Sequence, residues 1–401
     1  MKMNHTQQIL LGVLSQALSG KEYTIPADTD WEALYAESRA QAVVPIVYAA
    51  AAGQCTDAQV RQKWKAVTIR SLQKNRQIQL CHSYVHKLMT DHAIPYTIIK
   101  GCASAHDYPD PMMRAMGDVD FLVPKTHWDQ AVELLKQEGF ASHGEDHSLH
   151  ISFEKPGFGS EMEMHHDPFG FAKLKLPGLQ EIIPEAVEKS VETTCGDITF
   201  RMPDPFCHGT VLLLHAYRHL LYSGIGVRHL CDWAMFIRNF DEDEFVRIFK
   251  KHYEGLGIWK LTQVFSAAAH RYLGIPYQKW MASPDREECE MLMLDILNGG
   301  NFGQGDDDRA IQNRSLYDEE RKLTEGNSLI QMIRTMNRMA PEQFPRLMKI
   351  VIFRPFGWIF MGLRYLFRVL TGKRKKISND TMKKVAMRRK LYQQLEVFKT
   401  E

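Results

Sequence analysis

Lys100-Gly101-(x12)-Arg114-(x2)-Gly117-Asp118-Val119-Asp120-Phe121-Leu122-Val123 is the stretch that decides how this chain folds. Two aspartates, two residues apart, stand at the head of a short apolar run, about one helix's length after a glycine-containing turn. In a strand, alternate side chains share a face, so Asp118 and Asp120 project together while Val119, Phe121 and Val123 pack inward. A rise of about 3.3 Å per residue sets their Cα atoms roughly 6.6 Å apart, close enough for both carboxylates to lean onto one metal. Like charges on one face are costly unless a cation or an arginine neutralises them.

Working outward, Pro95-Tyr96-Thr97-Ile98-Ile99 is β-branched and aromatic and reads as a buried strand ending at Lys100-Gly101. Ala103-Ser104-Ala105 opens a short helix that Tyr108-Pro109-Asp110-Pro111 breaks. Val119 to Val123 is the second strand, closed by Pro124. A helix follows from Thr126, its cap, to Gln137, ended by Gly139. Leu149–Phe153 and Glu161–His165 are further strands, joined by the turn-rich Lys155-Pro156-Gly157-Phe158-Gly159 as in a hairpin. The order strand, helix, strand, helix, hairpin predicts an α+β fold with a small mixed sheet.

Helical periodicity flanks this core on both sides. Residues 6–91 read as helices, with Asp28 or Asp30 capping one and Asp57 beginning a long one. From Asp204 onward helices are expected over 211–222, 228–239, 253–273, 286–297 and 328–339. The predicted organisation is an N-terminal helical region over 1–91, the α+β core over 92–203, a helical domain over 204–343 and an apolar and basic helical tail over 344–401.

Composition sets outer limits. A chain of 401 residues, 44% hydrophobic and 24% charged, suits a globular protein with a sizeable core. The first residues lack a basic region followed by an apolar run, so no signal peptide is read. Seven scattered cysteines, with no C-x-x-C pair, argue against a disulfide framework or a zinc site and for a cytoplasmic protein. The net charge of +2 hides a tail carrying 15 Lys/Arg against 3 Asp/Glu from Arg346 onward. That charge comes without a stacking motif, which disfavours a nucleic-acid partner.

Phosphoryl chemistry asks a protein for positioning and charge neutralisation. Two Mg²⁺ ions held by three carboxylates supply both. Asp118 and Asp120 offer two of the three, and Glu161-Met162-Glu163-Met164-His165 offers the third. Glu161, Glu163 and His165 alternate onto one face, so either glutamate could serve. Lys100-Gly101, ahead of a helix, could aim backbone N–H groups at a triphosphate.

This pattern resembles the nucleotidyltransferase superfamily that includes polymerase β and kanamycin nucleotidyltransferase. More closely, it resembles a bacterial family of uncharacterised nucleotidyltransferases marked by KG…R…GDxDxLV…ExH. Those positions read here Lys100-Gly101, Arg114, Gly117 to Val123, and Glu163-Met164-His165-His166. A helical "LLLH…KH…G.G.R.L.DW" region is matched by Leu212-Leu213-Leu214-His215, Arg218-His219, Gly224, Gly226, Arg228, Leu230 and Asp232-Trp233. The match covers roughly residues 40–305. The resemblance implies a Mg²⁺-dependent enzyme, with Mn²⁺ as a substitute, that moves NMP from an NTP to an acceptor and releases pyrophosphate. It implies that Asp118, Asp120 and Glu163 bind metal, that Glu163 also activates the acceptor, and that Lys100, Gly101 and Arg114 contact phosphate. The superfamily's Gly-Ser pair reads Gly101-Cys102 here, which leaves Ser104 as the substitute hydroxyl, and His166 stands where the family usually has Trp.

The acceptor cleft is expected to draw on His165, His215, His219, Arg228 and Asp232. His215 and His219, at i and i+4, have zinc-binding spacing, but no third ligand or metalloprotease glutamate accompanies them. Arg228 and Asp232, also i and i+4, could pair with each other or close the cleft. Gly299–Gly305 reads as a loop without a phosphate-binding signature. The apolar run within 349–376, broken by arginines, falls short of a membrane span. It suits either a packed terminal helix or an amphipathic helix lying on a membrane. The alternative to an enzyme is a non-catalytic or membrane-peripheral accessory protein on a degenerate nucleotidyltransferase fold. The acceptor could be a small molecule, a saccharide, a peptide or a protein.

Overall fold

Apolar residues at helical spacing build the first 91 residues into four helices: α1 His5–Ser19, α2 Trp31–Ala40, α3 Val44–Ala51 and α4 Ala58–Asp91. The Asn4 side chain accepts from Gln7 N while the Gln7 side chain accepts from Asn4 N, a reciprocal cap that fixes where α1 starts. Asp30 and Asp57 accept from the free amides opening α2 and α4, as the sequence leads one to expect. The computed structural model describes residues 2–143, 150–167, 176, 179–303, 309–316, 359–360, 363–364, 367, 371 and 379–396. The helix expected over 328–339 and most of the apolar and basic stretch 349–376 lie outside these residues. No helix among the described residues is long and apolar enough to cross a membrane.

Beyond α4 the period changes and a five-stranded sheet forms. Its strands are β1 Thr97–Ile98, β2 Val119–Leu122, β3 Ala141–His143, β4 His150–Glu154 and β5 Met162–His165, in the order β1-β2-β5-β4-β3. Only the β2–β5 pair is parallel. One helical turn, α5 Cys102–Ala105, lies between β1 and β2, and the chain goes from β2 to β5 through α6 Trp128–Gln137 and the β3–β4 pair. The mixed α+β reading holds, and β3 is an addition to it. Thr126 does not cap α6, because Lys125–His127 forms a 3₁₀ turn ahead of the helix and takes Thr126 into it. Gly139 ends that region with φ +84°, a left-handed conformation that glycine adopts without a Cβ clash.

Alternation along β2 and β5 creates two different faces. Val119, Phe121, Met162 and Met164 are fully buried in a core shared with Ile78, Val85 and Met89 of α4 and with Ala131 and Leu135 of α6. Each large apolar side chain buried this way contributes about 1.5–3 kcal/mol. The parallel register sets Asp120 opposite Glu163 on the other face. A second hairpin that periodicity alone did not reveal, β6 Val191–Cys195 and β7 Ile198–Met202, lies beside β1, where Thr97 Oγ1 donates to the Arg201 carbonyl at 3.3 Å.

Helix α7 Leu179–Glu188 precedes the β6–β7 hairpin; after Asp204 come α8 Pro205–Tyr222, α9 Val227–Ile237, α10 Glu242–Phe245, α11 Lys251–Gly255, α12 Trp259–Leu273 and α13 Glu287–Gly299. One buried side chain ties their arrangement to the N-terminal helices. Gln41, just after α2, donates Nε2 to the Leu297 carbonyl at 2.9 Å and accepts from the Val227 amide at 3.0 Å. At Gly226 a Cβ would lie 2.9 Å from the Gln41 carbonyl and 3.1 Å from Asn301 Cβ, so the backbone approach there leaves no room for a side chain.

The chain divides into two compact units, Met1–Asp306 and Asp307–Glu401. The sheet and its cleft lie within the first. Within the second, the buried Arg388 of helix Asn379–Gln394 donates to Gln312 Oε1 of helix Arg309–Leu316 at 3.2 Å.

Candidate active site

Asp120 is buried, with only 1% of its surface exposed. A carboxylate so placed costs several kcal/mol unless it is paired. Two nitrogens meet it: Lys100 Nζ lies 2.6 Å from Oδ1 and His165 Nε2 lies 3.0 Å from the same atom. Burial pushes the Asp120 pKa upward, but Lys100 and His165 outweigh it and hold the group ionised well below the usual carboxylate range. His165 also reaches Glu163 Oε2 at 3.4 Å. Burial opposes its charge, yet the two carboxylates raise its pKa above the ordinary histidine value. The His165 contact in turn lowers the Glu163 pKa, against the opposing effect of burial.

Ligand atoms of Asp120, Glu163 and His165 all lie within 4.8 Å of one another, the one such group among the described residues. Glu161 is exposed and precedes β5, so of the two glutamates Glu163 is the one beside Asp120. Asp118 falls in the bend before β2, outside that group but on the same cleft. Burial and the charge of Asp120 raise its pKa to about 6.

This shift has a consequence for stability. The folded chain keeps the Asp118 proton up to about pH 6, whereas an unfolded chain releases it near pH 4. Stability from this group therefore falls as pH rises from about 4 to 6. Asp118→Asn is expected to make the metal-free protein more stable at pH 7 by about 1–3 kcal/mol, with no gain at pH 4. Thermal melts of both proteins in chelator at the two pH values measure it; an equal difference at both would refute the assignment.

The cleft in front of the carboxylates has a volume of about 620 Å³, including the space open to solvent. Lys100, Gly101, Ser104, Arg114, Asp118 and Asp120 line one side; His215, Arg228, His229, Asp232 and Phe302 line the other. Gly101 has φ +55°, and a Cβ there would lie 2.7 Å from the His82 ring, so both conformation and space demand glycine. The helix after it spans only Cys102–Ala105, and the Ala103 and Ala105 amides are bonded to the Lys100 and Gly101 carbonyls. Those amides are not available to an anion. The Ser104 hydroxyl, 1% exposed, has no partner within the protein.

Arg114 lies in the cleft wall, but its guanidinium grips Asp232: Nε donates to Oδ1 at 2.7 Å and Nη2 to Oδ2 at 2.8 Å. Tyr108 donates to the same carboxylate at 2.7 Å. Asp232 therefore does not pair with Arg228, its i–4 neighbour, because the planar fork of Arg114 matches both carboxylate oxygens. Arg228 donates Nη1 to the Ala115 carbonyl at 3.1 Å and leaves Nε without a partner. Burial and the nearby Arg114 lower its pKa. It is a desolvated cation facing a cleft, which favours an anionic ligand.

His215 and His219 do meet, with Nε2 atoms 3.1 Å apart, and the His229 ring lies tilted beside them with ring centroids 5.4 and 5.9 Å away. These imidazoles form no metal-binding group. Burial lowers the pKa of all three, to about 3 for His219. His229 and Phe302 were not legible as cleft residues, nor was His82 as the buried ring behind Gly101. His82 acts through its contact with Gly101, His229 sits one turn after the Gly224-x-Gly226 turn, and Phe302 belongs to a loop with no recognisable signature.

A model of the family described as uncharacterised nucleotidyltransferase matches residues 27–274, more than half of the chain. The chain belongs to that family. No curated protein matches the sequence. Among solved structures, an antigenic nucleotidyltransferase-like protein from Paracoccidioides brasiliensis matches 51% of this chain and 94% of its own, with 15% identity and a TM-score of 0.34. Nucleotidyltransferases generally use divalent metals, and in this family member a buried Asp–Glu–His group stands at the cleft. Phe302 lies beyond the matched residues.

Proposed function

We propose that this nucleotidyltransferase family member transfers a nucleotidyl group from an NTP to an acceptor hydroxyl or phosphate and releases pyrophosphate. The observation that carries the reading is the parallel β2–β5 register, which sets Glu163 beside Asp120 at the head of an open cleft. The donor set suits a divalent cation: the Asp120 and Glu163 carboxylates and the His165 imidazole lie together, and the Asp118 carboxylate lines the same cleft. Three oxygen donors fit Mg²⁺, and the nitrogen donor adds Mn²⁺ as a fitting ion. Such a cation supplies charge neutralisation at the α-phosphate and orientation of the acceptor oxygen.

The protein's own groups do the rest. Lys100 leaves Asp120 and follows the phosphate charge, for its ammonium is the mobile partner, 20% exposed in its side chain against 2% for Asp120. Arg228 Nε and the Ser104 hydroxyl donate to phosphate oxygens, and Arg114 holds the Gly101 turn and Asp232 in place. The acceptor oxygen attacks the α-phosphorus as its proton passes to the Glu163 carboxylate. The bond from the α-phosphorus to the bridging oxygen breaks, and pyrophosphate departs with that electron pair. The wall around His215 and Asp232 receives the acceptor.

Calorimetric titration of NTP with and without Mg²⁺ or Mn²⁺ tests this reading, followed by incubation of labelled NTP with cell extract. Metal-dependent binding and a labelled product are expected. A single contact favours a second reading: Lys100 Nζ occupies Asp120 as a permanent counter-ion would. Absence of metal-dependent NTP binding would overturn the transfer reading and leave this second one, a non-catalytic protein on a degenerate fold.

A further inference from the structure

Phe302 is an unexpected residue for the wall of a charged cleft. The residue is 46% exposed, among neighbours that are mostly ionic or polar. Its backbone has φ +54° and ψ +31°, a left-handed conformation that is unfavourable for a bulky side chain. Gly300 and Gly303 on either side also have positive φ, so the loop is shaped to turn this side chain where it is. Asn301 is held against Gly226, which fixes the loop to the start of α9. Strain of this kind persists at ligand sites when the surroundings enforce it.

The ring has a defined partner surface. It meets His219 edge-on at 5.0 Å and 70°, and His229 at 6.1 Å and 84°. His229 is 4% exposed, lines the same cleft and leaves Nε2 without a partner. Both imidazoles are kept neutral by burial, so this end of the cleft repels neither an uncharged ring nor its polar edge. The anionic and cationic groups, Asp118, Asp120, Lys100 and Arg228, supply the phosphate-binding chemistry. An aromatic face with one unsatisfied ring nitrogen beside it suits a planar heterocycle.

We infer that Phe302 and His229 form the nucleobase subsite: the base of the bound NTP packs on the Phe302 ring and hydrogen-bonds to His229 Nε2. This rests on the nucleotidyl-transfer reading, in which the α-phosphorus lies at the carboxylates and the base extends along the cleft. Aromatic contact with a base is tolerant of sequence because every base has a π-face, so discrimination among bases falls to the His229 edge.

The test is calorimetric titration of the full-length protein and of Phe302→Ala, Phe302→Gly and Phe302→Tyr. Each is titrated with the four NTPs and with inorganic tripolyphosphate, in Mg²⁺. Phe302→Gly accommodates the positive φ and guards against a loop that simply refolds. Loss of the ring should weaken binding of the preferred NTP by about tenfold or more, with tripolyphosphate affinity unchanged and Phe302→Tyr close to the parent. An NTP affinity unaffected by Phe302→Ala and Phe302→Gly would overturn the base subsite and assign this wall to the acceptor. Equal loss of NTP and tripolyphosphate would overturn it as well. A parent protein that binds neither probe overturns the nucleotidyl-transfer reading itself, and the subsite with it.

Discussion

Asp120→Asn is expected to reduce nucleotidyl transfer by about 10²–10³-fold or more, because the position combines metal binding with the alignment of Glu163 and His165. The same substitution has a stability cost. Asp120 is the shared acceptor for Lys100 and His165, and a neutral amide leaves the buried His165 short of a counter-charge. Lys100 can turn to solvent, so the expected loss is about 1–3 kcal/mol rather than that of a fully trapped ion pair. Steady-state rates and thermal melts in chelator check both halves. Neighbouring Asp118 should behave oppositely in the melt, since its carboxylate is held there at a cost. Two substitutions of one chemistry, two residues apart, would thus inactivate together and shift the melting temperature in opposite directions. Shifts of the same sign would sink the distinction between them.

Asp232→Ala is expected to be the most destabilising single change in the cleft. It strips Arg114 and Tyr108 of their common partner, and Arg114 is only 6% exposed. Breaking a buried ion pair on one side costs about 3–5 kcal/mol, because the remaining charge stays buried. For a unit of this size that lowers the melting temperature by several degrees, on the order of 2–4 °C per kcal/mol. Asp232→Leu combined with Arg114→Met removes both charges and should recover much of the stability without recovering activity. The double-mutant cycle is the measurement. A coupling below about 1 kcal/mol would mean that the pair is solvated and holds nothing together.

The stretch around Asp118 and Asp120 made the sheet legible because its alternation has a single solution. Val119, Phe121 and Val123 must go inward, which turns Asp120 to the other face; Asp118, expected beside it, stands in the bend before the strand and meets it only as a lining residue of the cleft. The hairpin β6–β7 escaped because Val191-Glu192-Thr193-Thr194-Cys195 is largely exposed and offers a weak apolar signal. Motif spacing brought Arg114 and Arg228 into the cleft but could not say which would be consumed by Asp232. That depends on the orientation of a guanidinium fork across 118 residues of sequence. Glu161 and Glu163 were equivalent by parity, and only the point at which β5 begins to pair separates them. Phe302 carried no sequence signal at all, since a left-handed phenylalanine is invisible until its backbone is seen.

The Gln41 side chain bonds to residues 227 and 297, and so gives the molecule a timetable. Ribosomes deliver the carboxylates early and the opposite wall much later, at about 5–20 residues per second. Until Leu297 emerges, the amide of Gln41 has no carbonyl to hold, and the segment that carries Phe302 does not yet exist. The nascent chain therefore possesses its acidic face for many seconds before it possesses an enclosure. A chain released between residues 165 and 302 would carry the carboxylates without the wall that encloses them.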